Sequence, residues 1–303
     1  MKRILAVLLA VCLLAGCQQT KKTQQTIFAM DTVMTLTVYG SDCEKAATDL
    51  QTMINGLETD WSATREDSIP NNTTELTREQ SDLLDRLARM QGRTNGLFDM
   101  YLGGVMEAWG FYDKNYRVPT EEELTAARQE SRLDLGGAMK GYAADRAVAL
   151  LDGMDIDYAI LDLGGNIQTY KDKPDGTPWQ IGIQNPNGGD PLGVVSVTGT
   201  SAIVTSGDYQ RCFEQDGKVY HHIIDPRTLK PADSGLRSVT VISKSGLTAD
   251  CLSTALFVMG LEAGAQFWRD SEDFEAVFVT AEGTIYATEG AALSGCEFEV
   301  IRR

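Results

Sequence analysis

Leu133-Asp134-Leu135-Gly136-Gly137 and Leu161-Asp162-Leu163-Gly164-Gly165 spell the same pentapeptide, LDLGG, in two different settings. The first copy runs into AMKGYAADRAVALL and the second into NIQTYKDKPDG. Paired glycines let a backbone turn tightly or approach a ligand closely. The first pair is expected between a strand and a helix, where the opening N–H groups and positive dipole end suit a phosphate. Lys140 and Arg146 add cationic donors nearby. GGAMKG is neither a Walker A loop nor a GxGxxG fingerprint, and by itself a Gly-Gly helix start is more often a structural turn than a phosphate site. The second copy is expected to end a strand and bend the chain. With no third copy, the pentapeptide is not a solenoid repeat.

Working outward, Ile27 to Tyr39 (IFAMDTVMTLTVY) reads as a strand from its β-branched residues and alternation. Ser41 with Glu44, Thr77 with Gln80, and Thr120 with Glu123 have capping-box spacing and place three helix starts. After residue 155 the pattern turns to short strand-like runs (YAILDLGG, WQIGIQ, GVVSVTG, SAIVTSG, YHHIIDP, SVTVIS, EAVFVT) separated by Gly, Pro, Asn and Asp. A single helix interrupts them, with Thr248 as its expected N-cap. Segregated helices and mostly antiparallel strands indicate an α+β fold rather than a doubly wound parallel sheet.

Residues 1–16 have the form of a signal peptide: Lys2 and Arg3, an apolar run from Ile4 to Leu14, then Leu14-Ala15-Gly16-Cys17. The small residues before Cys17 are similar to a bacterial lipobox, which implies acylation of Cys17 and an anchor on the extracytoplasmic side of the membrane. Residues 17–26 read as a polar tether, and 27–303 as one folded domain. The run is too short to span a bilayer. A net charge of -16 disfavours nucleic acid, which requires clustered Lys and Arg, and offers anionic lipid no general attraction. Beyond Cys12 and Cys17 the cysteines are Cys43, Cys212, Cys251 and Cys296, and their spacing selects none of the three possible pairings and no zinc site.

Two further stretches carry chemistry. His221 and His222 are the only histidines, and on a strand only one of them can face a site. Asp225-Pro226-Arg227 makes a rigid turn just after them, and Ser206, Gly207 and Tyr209 form a polar cluster upstream. Asp250 and Thr254 stand at i and i+4, so one helix face presents a carboxylate and a hydroxyl, two oxygens of the kind a hard cation such as Mg2+ takes. Asp250 in a first turn would equally well serve the helix dipole.

Taken in order, FAMDTVMTLTVYG, NGLFDMYLGGVMEAWGF, LDLGGAMKGYAADRA, LDLGGNIQTY, SAIVTSGDYQRCF, HHIIDPRTLKP and SVTVISKSGLTADCLSTALFVMG resemble the ApbE family of FAD:protein FMN transferases, from Ile27 to the C-terminus. The resemblance implies an enzyme that splits FAD and attaches FMN through a phosphodiester to a Thr or Ser of a membrane or exported redox protein, using Mg2+. It implies metal ligation by the Gly137 carbonyl, Asp250 and Thr254. It also implies FAD contacts from Met30, the Leu97-Phe98-Asp99 stretch, Asp134, Lys140, His222 and Ile224, with the second LDLGG as pocket wall. Two departures stand out: Leu229 follows DPRT where the family usually has glycine, and Thr64 in WSATREDS stands where members often have tyrosine.

The same resemblance sets a mechanistic expectation, in which the acceptor hydroxyl attacks the FMN-side phosphorus and AMP departs. His222 is the candidate general base, since an unperturbed imidazole titrates near 6.5. Asp250 is the alternative. Two rival readings are an FAD pyrophosphatase that gives the same phosphorus to water, and a lipid-anchored flavin- or solute-binding protein without catalysis.

Overall fold

The computed structural model describes residues 20–72 and 75–303. The signal segment and Cys17 lie outside the described residues. The first two strands already differ from the sequence reading. Ile27 to Tyr39 is not one strand but the heart of a hairpin, β1 (Lys22–Ala29) and β2 (Thr32–Gly40), closed by Met30 and Asp31 at φ 52° and 56°. The expected tether is therefore shorter, because Lys22 to Thr26 pair with Tyr39 to Thr35. An edge strand needs only backbone pairing along one side, so its polar side chains can remain in water and leave little apolar signal.

The hairpin begins a nine-stranded sheet in the order β1-β2-β3-β4-β7-β12-β13-β14-β16. It uses β3 (Ile156–Asp162), β4 (Asn166–Tyr170), β7 (Ser201–Gly207), β12 (Leu236–Ser243), β13 (Phe274–Thr280), β14 (Ile285–Thr288) and β16 (Glu299–Ile301). Every pairing is antiparallel except β14 with β16. The remaining strands are β5 (Trp179–Ile183), β6 (Gly193–Val197) and β15 (Leu293–Ser294) in a small sheet, and the hairpins β8 (Cys212–Gln215) with β9 (Lys218–His221) and β10 (Ile224–Asp225) with β11 (Lys230–Pro231).

Strand alternation sorts the two faces. On β3, Ala159 and Leu161 join the main core under the helices, while Tyr158 and Ile160 pack with Trp179 and Ile181 of the small sheet. Among the described residues the helices are α1 (Cys43–Trp61), α2 (Arg78–Arg93), α3 (Gly103–Ala108), α4 (Glu121–Gln129), α5 (Met139–Asp152), α6 (Gly246–Met259) and α7 (Leu261–Arg269). This is the α+β architecture the pattern indicates.

Thr77 and Thr120 form the expected capping boxes. Ser41 does not: α1 starts after Asp42, without a side-chain cap. Nor is Thr248 an N-cap. Ser245 caps α6 by accepting from Thr248 N at 3.2 Å, and the Asp145 carboxylate of α5 accepts from Gly246 N at 2.5 Å. A residue from another helix thus completes the start of α6, which local sequence cannot show. Asp250 consequently sits past the first turn. The helix is buried along most of its length, as expected for one apolar nearly all round. The late helical region is also two helices, α6 and α7, broken at Gly260 with φ 82°. Cys43, Cys212, Cys251 and Cys296 are all free thiols.

Candidate active site

The two LDLGG copies share one piece of local chemistry. Asp134 Oδ1 accepts from Gly136 N at 2.7 Å, and Asp162 Oδ1 accepts from Gly164 N and Gly165 N at 3.0 and 3.1 Å. Each aspartate therefore shapes its own turn. In the second copy both glycines have positive φ, 76° and 84°, and join β3 to β4 as a hairpin. That copy does not line the cavity, contrary to the wall role the resemblance implies, because the tight reversal keeps it within the sheet. The first copy is preceded by irregular chain rather than a strand, and it opens α5.

A cavity of ≈ 580 Å³ lies where the first glycine turn, the β1–β2 turn, the C-terminal end of α1, the middle of α6 and the segment around His222 converge. Such a volume suits a small-molecule or cofactor site. Met30, Leu97, Phe98 and Asp99 line it, as do Asp134, Gly137 and Lys140. His222, Ile224, Asp250 and Thr254 complete the set, so every non-lipid site residue expected from the sequence borders one space. Arg146 does not; it turns outward to pair with Glu79.

Asp250 connects the parts. It is 4% exposed, and its Oδ2 accepts from Gly141 N at 2.8 Å. The start of α5 has no side-chain cap of its own, so Asp250 supplies an acceptor for an otherwise orphaned helix donor. Burial pushes its carboxyl above the usual range, against the opposing pull of Lys140 and the Gly141 N–H. Around it, Thr254 Oγ1 lies 3.2 Å from where a Gly137 Cβ would sit and 3.4 Å from Ser206 Oγ. No group of three His, Cys, Asp or Glu suited to a metal occurs among the described residues. The donor set is instead one carboxylate with neutral hydroxyls and backbone, which suits a hard divalent cation that takes further oxygens from phosphate.

His221 and His222 diverge. His221 Nε2 lies 3.0 Å from Ala232 O, its Nδ1 accepts from Ile223 N at 3.2 Å, and Phe257 stands edge-on to its ring. His222 follows the end of β9, borders the cavity, and keeps Nδ1 buried without a partner. Burial first, then the charges of Arg211, His221 and Lys140, push its imidazole down to about 3. The free protein thus corrects the expectation of an imidazole titrating near neutrality: this ring is held neutral.

Several lining residues carried too little local signal to be singled out. Asp31 sits on the β1–β2 turn, Glu58 accepts from Met30 N at 3.0 Å, and Tyr112 donates to Asp134 Oδ2 at 2.8 Å. Lys114 and Arg211 arrive from two other loops. The departures also have structural forms. Leu229 adopts φ 61°, the left-handed conformation a glycine takes without strain, and its carbonyl accepts from Trp109 Nε1 at 2.9 Å. Thr64 borders the cavity beside Trp61, which supplies an aromatic surface there.

A family model described as the ApbE family matches residues 30–278. An FAD:protein FMN transferase of Klebsiella pneumoniae (strain 342) is 44% identical over 206 residues, covering 60% of this chain and 63% of that protein. One of Vibrio cholerae serotype O1 is 30% identical over 302 residues, covering 87% and 90%. Among solved structures, the ApbE protein from Thermotoga maritima is similar with a TM-score of 0.81 at 30% identity, covering 89% of this chain and 97% of that one. Flavin transferase ApbE from Vibrio cholerae gives 0.78 at 27% identity, covering 89% and 98%.

Proposed function

The chain belongs to the ApbE family, and from that premise we propose that it transfers the FMN moiety of FAD to a Thr or Ser hydroxyl of an accepting protein, releasing AMP, with Mg2+ as cofactor. The observation that carries this reading is the meeting of Gly137, Asp250 and Thr254 beside Lys140 and His222 in one cavity. In the reaction, the acceptor oxygen forms a bond to the FMN-side phosphorus, the bond to the bridging oxygen breaks, and AMP leaves with that electron pair. The acceptor hydroxyl proton goes to a base.

The Gly137 carbonyl, Asp250 and Thr254 would hold Mg2+, which when bound neutralises charge on phosphoryl oxygens. Need for such charge is visible in the lining, where the carboxylates Asp31, Glu58, Asp99, Asp113, Asp134 and Asp250 outnumber the lining cations Lys114, Lys140 and Arg211. Lys140 positions a phosphate beside the first turn of α5. His222 borders the cavity and is the candidate acceptor of that hydroxyl proton. Burial depresses its basicity most, and Arg211 and Lys140 add to this; an entering diphosphate would offset those two charges. Phe98 and Trp61 are nearly buried and exclude water from one side.

Incubation with FAD and Mg2+, with and without a protein bearing a target Thr, tests the reading. The expected result is AMP release matched by an FMN mass increment on the acceptor. Free FMN with no adduct would indicate hydrolysis instead, and bound flavin without AMP a binding protein. We propose in addition that Cys17 is lipidated and tethers the domain to the outer face of a membrane, on the strength of the N-terminal pattern. No helix among the described residues is long and apolar enough to cross one. Incorporation of labelled fatty acid that persists in Cys17→Ser would refute that anchor.

A further inference from the structure

The cavity mouth carries a charge arrangement centred on Asp31, to which the transfer chemistry above assigns no role. Asp31 Oδ1 lies 3.8 Å from Lys114 Nζ, and Asp31 Oδ2 lies 3.4 Å from Arg211 Nη2. The three residues come from separate segments: the β1–β2 turn, the turn after α3, and the loop between β7 and β8. Both distances exceed a charge-assisted hydrogen bond. The side chains are 49%, 66% and 42% exposed for Asp31, Lys114 and Arg211, so neither cation is committed to its partner.

The other lining carboxylates are engaged differently. Asp99 meets Arg128, Asp134 accepts from Tyr112 and Gly136, Asp250 accepts from Gly141 N, Glu58 from Met30 N, and Asp113 from Asn115 N. Asp31 alone among them holds two cavity cations without a hydrogen bond to either. A carboxylate in that position mimics a weakly held phosphate.

We infer that Lys114 and Arg211 form a phosphate-capturing pair at the cavity mouth, and that Asp31 is the competing internal anion which occupies them until a phosphorylated ligand arrives. The inference rests on the flavin-dinucleotide reading. A diphosphate, bearing more charge than one carboxylate, displaces Asp31. Asp31 is thus a residue that sets selectivity through Lys114 and Arg211 rather than a catalytic one.

The test is flavin fluorescence titration of the full chain with FAD, FMN and riboflavin at fixed Mg2+, for wild type, Asp31→Asn, Lys114→Gln and Arg211→Gln. Asparagine tolerates the left-handed conformation at residue 31, so the turn is preserved. Losing a weak exposed pair should tighten FAD binding by Asp31→Asn about two- to fivefold, while riboflavin, which has no phosphate, shifts by less than that. Arg211→Gln should loosen FAD about tenfold, as loss of a charge-assisted contact, with Lys114→Gln acting in the same direction. In the Asp31→Asn/Arg211→Gln double variant the gain from Asp31→Asn should shrink, and added salt should compress every effect. If wild type binds FAD and Asp31→Asn leaves it unchanged or weaker, or shifts riboflavin equally, the capture pair is wrong and the flavin reading survives. If wild type does not bind FAD at all, both fall together.

Discussion

His221 and His222 are neighbours in sequence but belong to different parts of the molecule: His221 is bonded to Ala232 O at 3.0 Å within the core, and His222 lines the cavity. The strand end between them separates a structural imidazole from a candidate base. His222→Ala should slow single-turnover transfer by about 100- to 10,000-fold while FAD affinity changes little. His221→Ala should transfer normally when folded but lose stability, about 1–3 kcal/mol for the stranded partners. Equal transfer rates for both variants across pH would remove histidine from the chemistry.

The buried Asp250 carboxylate is held against its own desolvation, and Asn in its place still accepts from Gly141 N. Asp250→Asn should therefore melt no lower than wild type in the absence of metal, yet lose Mg2+-dependent AMP release. Differential scanning calorimetry with and without Mg2+ and FAD would show the wild type gaining the larger shift. A metal-free Asp250→Asn protein that melts far below wild type would make the ion, not the carboxamide, the better structural group.

Two glycines offer opposite outcomes. A Cβ on Gly141 would come within 2.2 Å of Gly246 O and 2.6 Å of Asp250 Cβ, at the crossing of α5 and α6. Gly141→Ala should cost about 1–3 kcal/mol or more through overpacking and displace Asp250, so FAD-dependent activity falls even below the melting temperature. Gly56, inside α1, meets nothing within 4 Å. Gly56→Ala should raise stability by about 0.4–1 kcal/mol with activity intact, as urea midpoints would report.

Acid sensitivity follows from His222. In the folded protein its ring stays neutral to about 3, whereas in the unfolded chain it takes a proton near the ordinary 6.5. Between those values the unfolded chain binds the extra proton, so this group's contribution to stability falls as pH drops through that window. Asp250, raised in the fold, works in the opposite sense, because the folded state then holds the extra proton. His222→Gln should flatten the decline in urea midpoint between about pH 6.5 and 4 relative to wild type. Parallel slopes would mean that the ring is solvated in solution.

Much of this molecule was legible in one dimension. Local signals sufficed for the capping boxes at Thr77 and Thr120, for the short strands after residue 155, and hence for the α+β class, because caps and alternation depend on neighbours a few residues apart. The ordered motifs pointed to the residues around the cavity. What local sequence missed was decided at a distance. Lys22 to Thr26 became a strand because β2 offered a backbone to pair with, and α6 began at Gly246 because Asp145 of another helix reached its first N–H. The identical LDLGG copies differ in form and in what they face: Asp134 and Asp162 each accept from a glycine N–H two residues on, but the first copy opens a helix and meets Thr254, while the second closes a hairpin and Gly164 packs against Thr32. Lys114, Arg211 and Asp31 are far apart along the chain and meet only when three loops close over the same space. Chain order sets what a segment can form, but desolvation and charge depend on what the fold brings beside it, as the depressed basicity of His222 shows.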